Sequence, residues 1–145
     1  MDIRIRRGRR ADFEALAQLC SWPVVEASPA RSTRLYRNTV SDLAYDLYIA
    51  DEGGTPVGMV AVSYVRALSL GGQRATLEDL VVRPDRRGSG LGRRLLEFAI
   101  GRARRRGARA FEARPSDEAA ERFLDRVGFR PGAPRYSLSL AEDSP

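Results

Sequence analysis

The sequence predicts an α/β sandwich built on a mixed β-sheet, and three observations carry that expectation. β-rich runs at Tyr45–Ala50, Pro56–Val65 and Leu77–Val82 are interleaved with stretches of helical period. The glycine-rich segment Arg87-Gly88-Ser89-Gly90-Leu91-Gly92 lies between one of those runs and the longest amphipathic stretch, so it reads as a strand-to-helix turn. The crossover through that helix makes the following apolar run, Ala108 to Ala113, parallel to Leu77–Val82.

Taken in order, residues 2–7 alternate as a first strand, and Asp12 is placed to cap a helix running to about Cys20, where Trp22-Pro23 stops it. Pro29 can occupy the first turn of a second helix reaching about Leu43, although its apolar face is thin. Asp51-Glu52-Gly53-Gly54-Thr55 is a hairpin signal between the next two strands, and Gly71-Gly72 marks the reversal into Leu77–Val82. Leu91, Leu95, Leu96, Phe98, Ala99 and Ala103 recur at helical spacing until Gly107. Asp117 then caps a helix carrying Ala120, Phe123, Leu124 and Val127, which Gly128 ends. Tyr136 to Leu140 alternates as a last strand, and Ala141 to Pro145 is expected to fray. One domain over residues 1–145 accommodates all of this.

Composition removes several function classes. The chain has no His and one Cys, Cys20, so zinc binding, an internal disulfide and histidine-based catalysis are not expected. Cys20 falls in the apolar-periodic stretch Phe13-Leu16-Leu19-Cys20 and reads as core. No apolar run approaches a membrane span and the N-terminus lacks a signal-peptide core, so the expectation is a soluble, cytoplasmic protein without a membrane partner.

The Gly-rich turn is the segment with chemistry in it. A helix start carries amide N–H groups with no intrahelical partner and a partial positive charge, and glycine lets an anion approach the backbone. A phosphate-binding nucleotidase loop would need a lysine, and the chain contains none. A dinucleotide fingerprint would need a third glycine that is missing here. The pattern present, Arg-x-x-Gly-x-Gly at Arg87 to Gly92, preceded by Leu77-Glu78-Asp79-Leu80-Val81-Val82 and Arg83-Pro84-Asp85 and followed by Phe123-Leu124-Asp125-Arg126-Val127-Gly128-Phe129, resembles the GNAT superfamily of N-acetyltransferases.

That resemblance implies a GNAT-like fold, a mostly antiparallel mixed sheet with a splayed parallel pair that receives coenzyme A. It implies acyl transfer from acetyl-CoA, or another short acyl-CoA, to a primary amine of a small molecule or peptide, with no metal. Arg87, Gly88, Ser89, Gly90, Leu91, Gly92 and Arg93 would bind the pyrophosphate, with Arg86 and Arg94 also within reach of phosphates. Backbone groups of Leu80, Val81 and Val82 would pair with the pantetheine arm, and Asp117 would accept a hydrogen bond from it. A homodimer is compatible with the resemblance, and no residue signals one. The formal charge of +6 agrees with this reading, because residues 83–109 hold ten Arg against two acids while the remainder is slightly acidic. This localisation argues against a nucleic-acid partner, and Arg102, Arg104, Arg105 and Arg106 read as a solvated helix end.

An amine with a pKa of about 10.4 is neutral in only about one molecule in two or three thousand at pH 7, so a base is required. Glu78 is the candidate catalytic base, acting through a water, while Asp79 points to the opposite face if the strand is regular. The family pattern N-x-x-A-x-x-F-Y-x-x-x-G-F is departed from at two places: Asp117 replaces its Asn, and Leu124 its Tyr. Leu124 cannot protonate a thiolate, so the thiolate leaves unprotonated or another hydroxyl, such as Tyr136, substitutes. A degenerate acyl-CoA sensor is therefore an alternative reading. Glu26, Asp42 and Glu78 allow a cationic acceptor without identifying it.

Overall fold

The computed structural model describes residues 2–22, 25 and 27–140, and within them two compact units, Met1–Arg114 and Pro115–Pro145, are best taken separately. In the first unit the strands are β1 (Ile3–Arg7), β2 (Tyr45–Glu52), β3 (Thr55–Ala67), β4 (Gly72–Val82) and β5 (Ala108–Glu112), and the helices are α1 (Phe13–Cys20), α2 (Pro29–Val40) and α3 (Leu91–Arg105). The five strands form one sheet in chain order, antiparallel from β1 to β4, with β5 parallel to β4.

Each face of the sheet buries its own cluster. On one face Leu91, Leu95, Ala99 and Ala103 of α3 pack against Val60, Val62, Tyr64 and Ala75. Gly58 lies under that helix because a Cβ there would stand 3.0 Å from Leu95 and 3.1 Å from the Val81 carbonyl. On the other face Leu16 of α1 and Tyr36 of α2 cover Leu47, Ile49, Met59 and Ala61. The 3.6-residue spacing that predicts these helices is thus the spacing of the side chains that meet the sheet.

The boundaries differ from expectation where tertiary contacts override local signals. β4 begins at Gly72, five residues before the predicted start, because Gln73–Thr76 pair with β3 and with the parallel β5. α2 ends at Val40, and Asp42 caps the turn after it by accepting the Ala44 N–H. Asp12 does not cap α1; its carboxylate turns back to accept from Arg9 N–H at 2.7 Å and pairs with Arg6.

The basic run at the end of α3 also departs from the solvated helix end expected of it. Asp46 of β2 is 3% exposed, accepts from the Tyr64 hydroxyl at 2.8 Å, and faces Arg106 at 3.3 Å and Arg102 at 3.6 Å. Arg7 stands 3.8 Å away on the outside. Arg106 also stacks on the Tyr64 ring, 3.9 Å from its centroid, and donates to the Leu43 carbonyl. Arg102 and Arg106 therefore bind the C-terminal end of α3 to β2, while Arg104 and Arg105 are exposed as expected.

In the second unit Asp117 caps α4 (Glu118–Val127), accepting from the Ala120 N–H at 2.7 Å, and Gly128 closes the helix in the left-handed region. Leu124 is buried. The predicted strand at Tyr136–Leu140 is not formed: those residues have no regular structure, and Tyr136, Leu138 and Leu140 are exposed. The alternation that suggested a strand is genuine, but alternation makes a strand only when a partner edge receives it. Ala141 to Pro145 lie outside the described residues, as do Pro23 and Glu26. Among the described residues no helix is long and apolar enough to cross a membrane, and no group of three or more His, Cys, Asp or Glu could hold a metal.

Candidate active site

The parallel pair parts early. β5 accompanies β4 only from Gln73 to Thr76, whereas β3 accompanies β4 all the way to Val82. From Leu77 to Val82, then, β4 has one paired edge and, among the described residues, one edge without a strand. Alternate N–H and C=O groups of Leu80, Val81 and Val82 can take an extended ligand there.

That open edge runs directly into the glycine turn. A single 3-10 turn at Pro84–Arg86 leads to Gly88 and Gly90, both in the left-handed region at φ +78° and +85°. Gly90 is the N-cap of α3, and no side chain caps that helix. A Cβ at Gly88 or Gly90 would meet nothing within 4 Å beyond its chain neighbours. The first amides of α3, from Leu91, Gly92 and Arg93, therefore point out of the helix with no protein acceptor among the described residues, as an anion site requires.

The arginines around the turn divide by what already holds them. Arg86 makes a two-point pair with Glu52, both contacts 2.8 Å, which keeps the Glu52 carboxyl below the ordinary range and anchors the turn to the β2–β3 hairpin. Arg94 donates to the Ile3 carbonyl at 2.9 Å. Both were expected within reach of phosphates, and both also tie the turn to the scaffold. Arg87 makes only a long 3.4 Å contact to the Val82 carbonyl, and Arg93 an exposed pair with Glu97, so these two remain available. Ser89 donates its hydroxyl proton to the Arg86 carbonyl, so it stabilises the turn and has no proton left for a phosphate.

The acidic pair on β4 departs from the regular-strand expectation. Register with β3 shifts between Ala61, opposite Asp79, and Val62, opposite Leu77, so Glu78 is the extra residue of a β-bulge. Ala75, Leu77, Leu80 and Val82 all pack on the α3 side, and the three-residue step from Leu77 to Leu80 places both Glu78 and Asp79 on the other face. Two carboxylates therefore enter that face instead of one. Glu78 is exposed, and its Oε1 accepts from Ser63 Oγ at 2.7 Å. Asp79 is half-buried, and burial together with the Glu78 charge pushes its carboxyl above the ordinary range. In a chain with 25 basic residues, no arginine pairs with either acid among the described residues.

Tyr45 of β2 and Cys20 of α1 share this face. Burial, then the charges of Asp79 and Glu78, raise the Tyr45 phenol, and burial with Asp79 pushes the Cys20 thiol up to about 12. Cys20 is thus protonated at neutral pH and acts as core, as its spacing suggests. Sequence reasoning missed Ser63 and Tyr45 as parts of this face. The apolar step from Leu77 to Leu80 was the available signal for the bulge.

The comparisons with known proteins agree with this geometry. The sequence model described as the Acetyltransferase (GNAT) family matches residues 13–129, and the chain belongs to that family. Among solved structures it is similar to a transcriptional regulator from Bacillus halodurans C-125, with 25% identity and a TM-score of 0.85 over 96% of this chain and 100% of that one. The glucosamine-6-phosphate N-acetyltransferase of Arabidopsis thaliana shares the fold at 19% identity and a TM-score of 0.81, covering 97% of this chain and 100% of its own. A Clostridium acetobutylicum protein described as a predicted acetyltransferase with acetyl-CoA does so at 15% identity and 0.79, covering 96% and 97%. The search of curated proteins found no match.

Proposed function

We propose that this protein transfers an acetyl or other short acyl group from its coenzyme A thioester to a primary amine of a small molecule or peptide. The observation that carries the reading is the half of β4 without a second partner strand leading, through one 3-10 turn, to a helix start whose first amides have no acceptor among the described residues. The residues fit the coenzyme: amides from Gly88 to Gly92, with Arg87 and Arg93, hold the pyrophosphate, and Leu80, Val81 and Val82 receive the pantetheine as an added strand. The thioester supplies the activated acyl group. An N–H from the same stretch of β4 polarises its carbonyl. Glu78 takes a proton from the acceptor ammonium through a water, leaving a lone pair free to attack.

Leu124, at the position of the family's tyrosine, favours the second reading, a sensor that binds acyl-CoA without turnover. A coenzyme thiol with a pKa of about 8.5 is a fair leaving group without an acid, so turnover does not require that tyrosine. Thiol release from acetyl-CoA with glucosamine 6-phosphate, a diamine, an N-terminal alanyl peptide and a lysyl peptide separates the two: release with any of them establishes the enzyme.

The coenzyme site has its own test by calorimetry. Valine in place of Gly90 strains a backbone held at φ +85°, and coenzyme A affinity should fall about tenfold or more. Gly101→Ala, inside α3 with open space at its Cβ, should leave it unchanged. Equal affinities in the two variants would remove the loop from the site, and affinity for DNA that survives Gly90→Val would revive a nucleic-acid role for the Arg-rich helix.

A further inference from the structure

We propose that Ser63 is the positioning residue of the catalytic base, holding one oxygen of Glu78 so that the other faces the acceptor. The inference rests on the reading of Glu78 as the base.

The geometry that points to it is the bulge. An unpaired residue on a bulged strand has fewer neighbours to fix its rotamer, and an exposed glutamate loses much side-chain freedom when held. Ser63 lies on β3 opposite Thr76, and its hydroxyl reaches along the strand to Glu78 Oε1 at 2.7 Å. That is the distance of a hydrogen bond to a charged acceptor. With Oε1 occupied, Oε2 is the oxygen left to take a proton.

Among the described residues no arginine forms an ion pair with Glu78, so the Ser63 hydroxyl is the side chain that orders it.

Steady-state thiol release with the panel amine turned over fastest tests this in the intact protein. Ser63→Ala should lower kcat about tenfold with coenzyme A affinity unchanged, and Ser63→Thr, which keeps the hydroxyl, should restore it. Wild-type kcat in Ser63→Ala while Glu78→Gln loses turnover overturns the role of Ser63 and leaves the base in place. Full turnover in Glu78→Gln overturns the base and its positioning together.

Discussion

Glu78→Gln should lower kcat about 10²- to 10⁴-fold while leaving coenzyme A affinity within about twofold of wild type. The amide keeps the size of the side chain and can still accept from Ser63 Oγ through its carbonyl oxygen, so the fold has no reason to change. What it loses is the capacity to take a proton. Because the acceptor is almost entirely an ammonium near neutral pH, the loss should be largest at low pH and shrink as the pH approaches the amine's own pKa. Steady-state thiol release between pH 6 and 10 makes this visible as a convergence of the two profiles at the alkaline end. Parallel profiles would mean that Glu78 stabilises charge without moving a proton.

Asp46→Ala should cost about 3 kcal/mol of stability, at the lower end of the range for breaking a buried ion pair because Arg102 and Arg106 keep some access to water. The carboxylate is 3% exposed and is the common partner of Arg102 of α3, Arg106 just after it, Arg7 and the Tyr64 hydroxyl. Its removal leaves guanidinium groups together without a counter-ion and a phenol without its acceptor, and Arg102 Nε already lacks a hydrogen-bond partner. Urea denaturation should show a lower midpoint at unchanged slope, with a Tm lower by about 10 °C. Asp46→Asn should lose less, because its carbonyl oxygen still accepts from Tyr64. A change below 0.5 kcal/mol in Asp46→Ala, about what a neutral surface substitution gives, would mean that α3 is held by its apolar stripe alone.

The contrast between these residues shows which features were legible in the sequence. The Gly90 turn and the helix after it were legible because each is local: a left-handed cap, an apolar repeat and a terminating glycine lie within a few residues of one another. The strand before them was legible for the same reason, as was its parallel partner, because handedness restricts a crossover. Asp46 was not legible, since its partners stand at positions 7, 64, 102 and 106 and only the sheet brings them together. Arg102 and Arg106 look like any basic helix end until the buried acid opposite is known. The direction of Asp79 was misread because alternation was assumed through a bulge. The Tyr136–Leu140 pattern shows the limit from the other side, where a strand-like alternation takes no part in the five-stranded sheet.

The proposed coenzyme site also shows how one segment can serve as scaffold and as binding surface. Arg86, Arg94 and Ser89 hold the turn from three directions, through Glu52, the Ile3 carbonyl and the Arg86 carbonyl, so the amides they frame are presented already arranged. An anion site arranged in this way loses little ordering entropy on binding.

The most direct measurement is a crystal structure with coenzyme A bound. Pyrophosphate oxygens within hydrogen-bond distance of amides between Gly88 and Arg93, pantetheine lying along Leu80 to Val82, and the sulfur directed to the face that carries Glu78 are the predicted arrangement. Coenzyme A bound away from α3, or a third strand of the protein occupying that edge of β4, would contradict it.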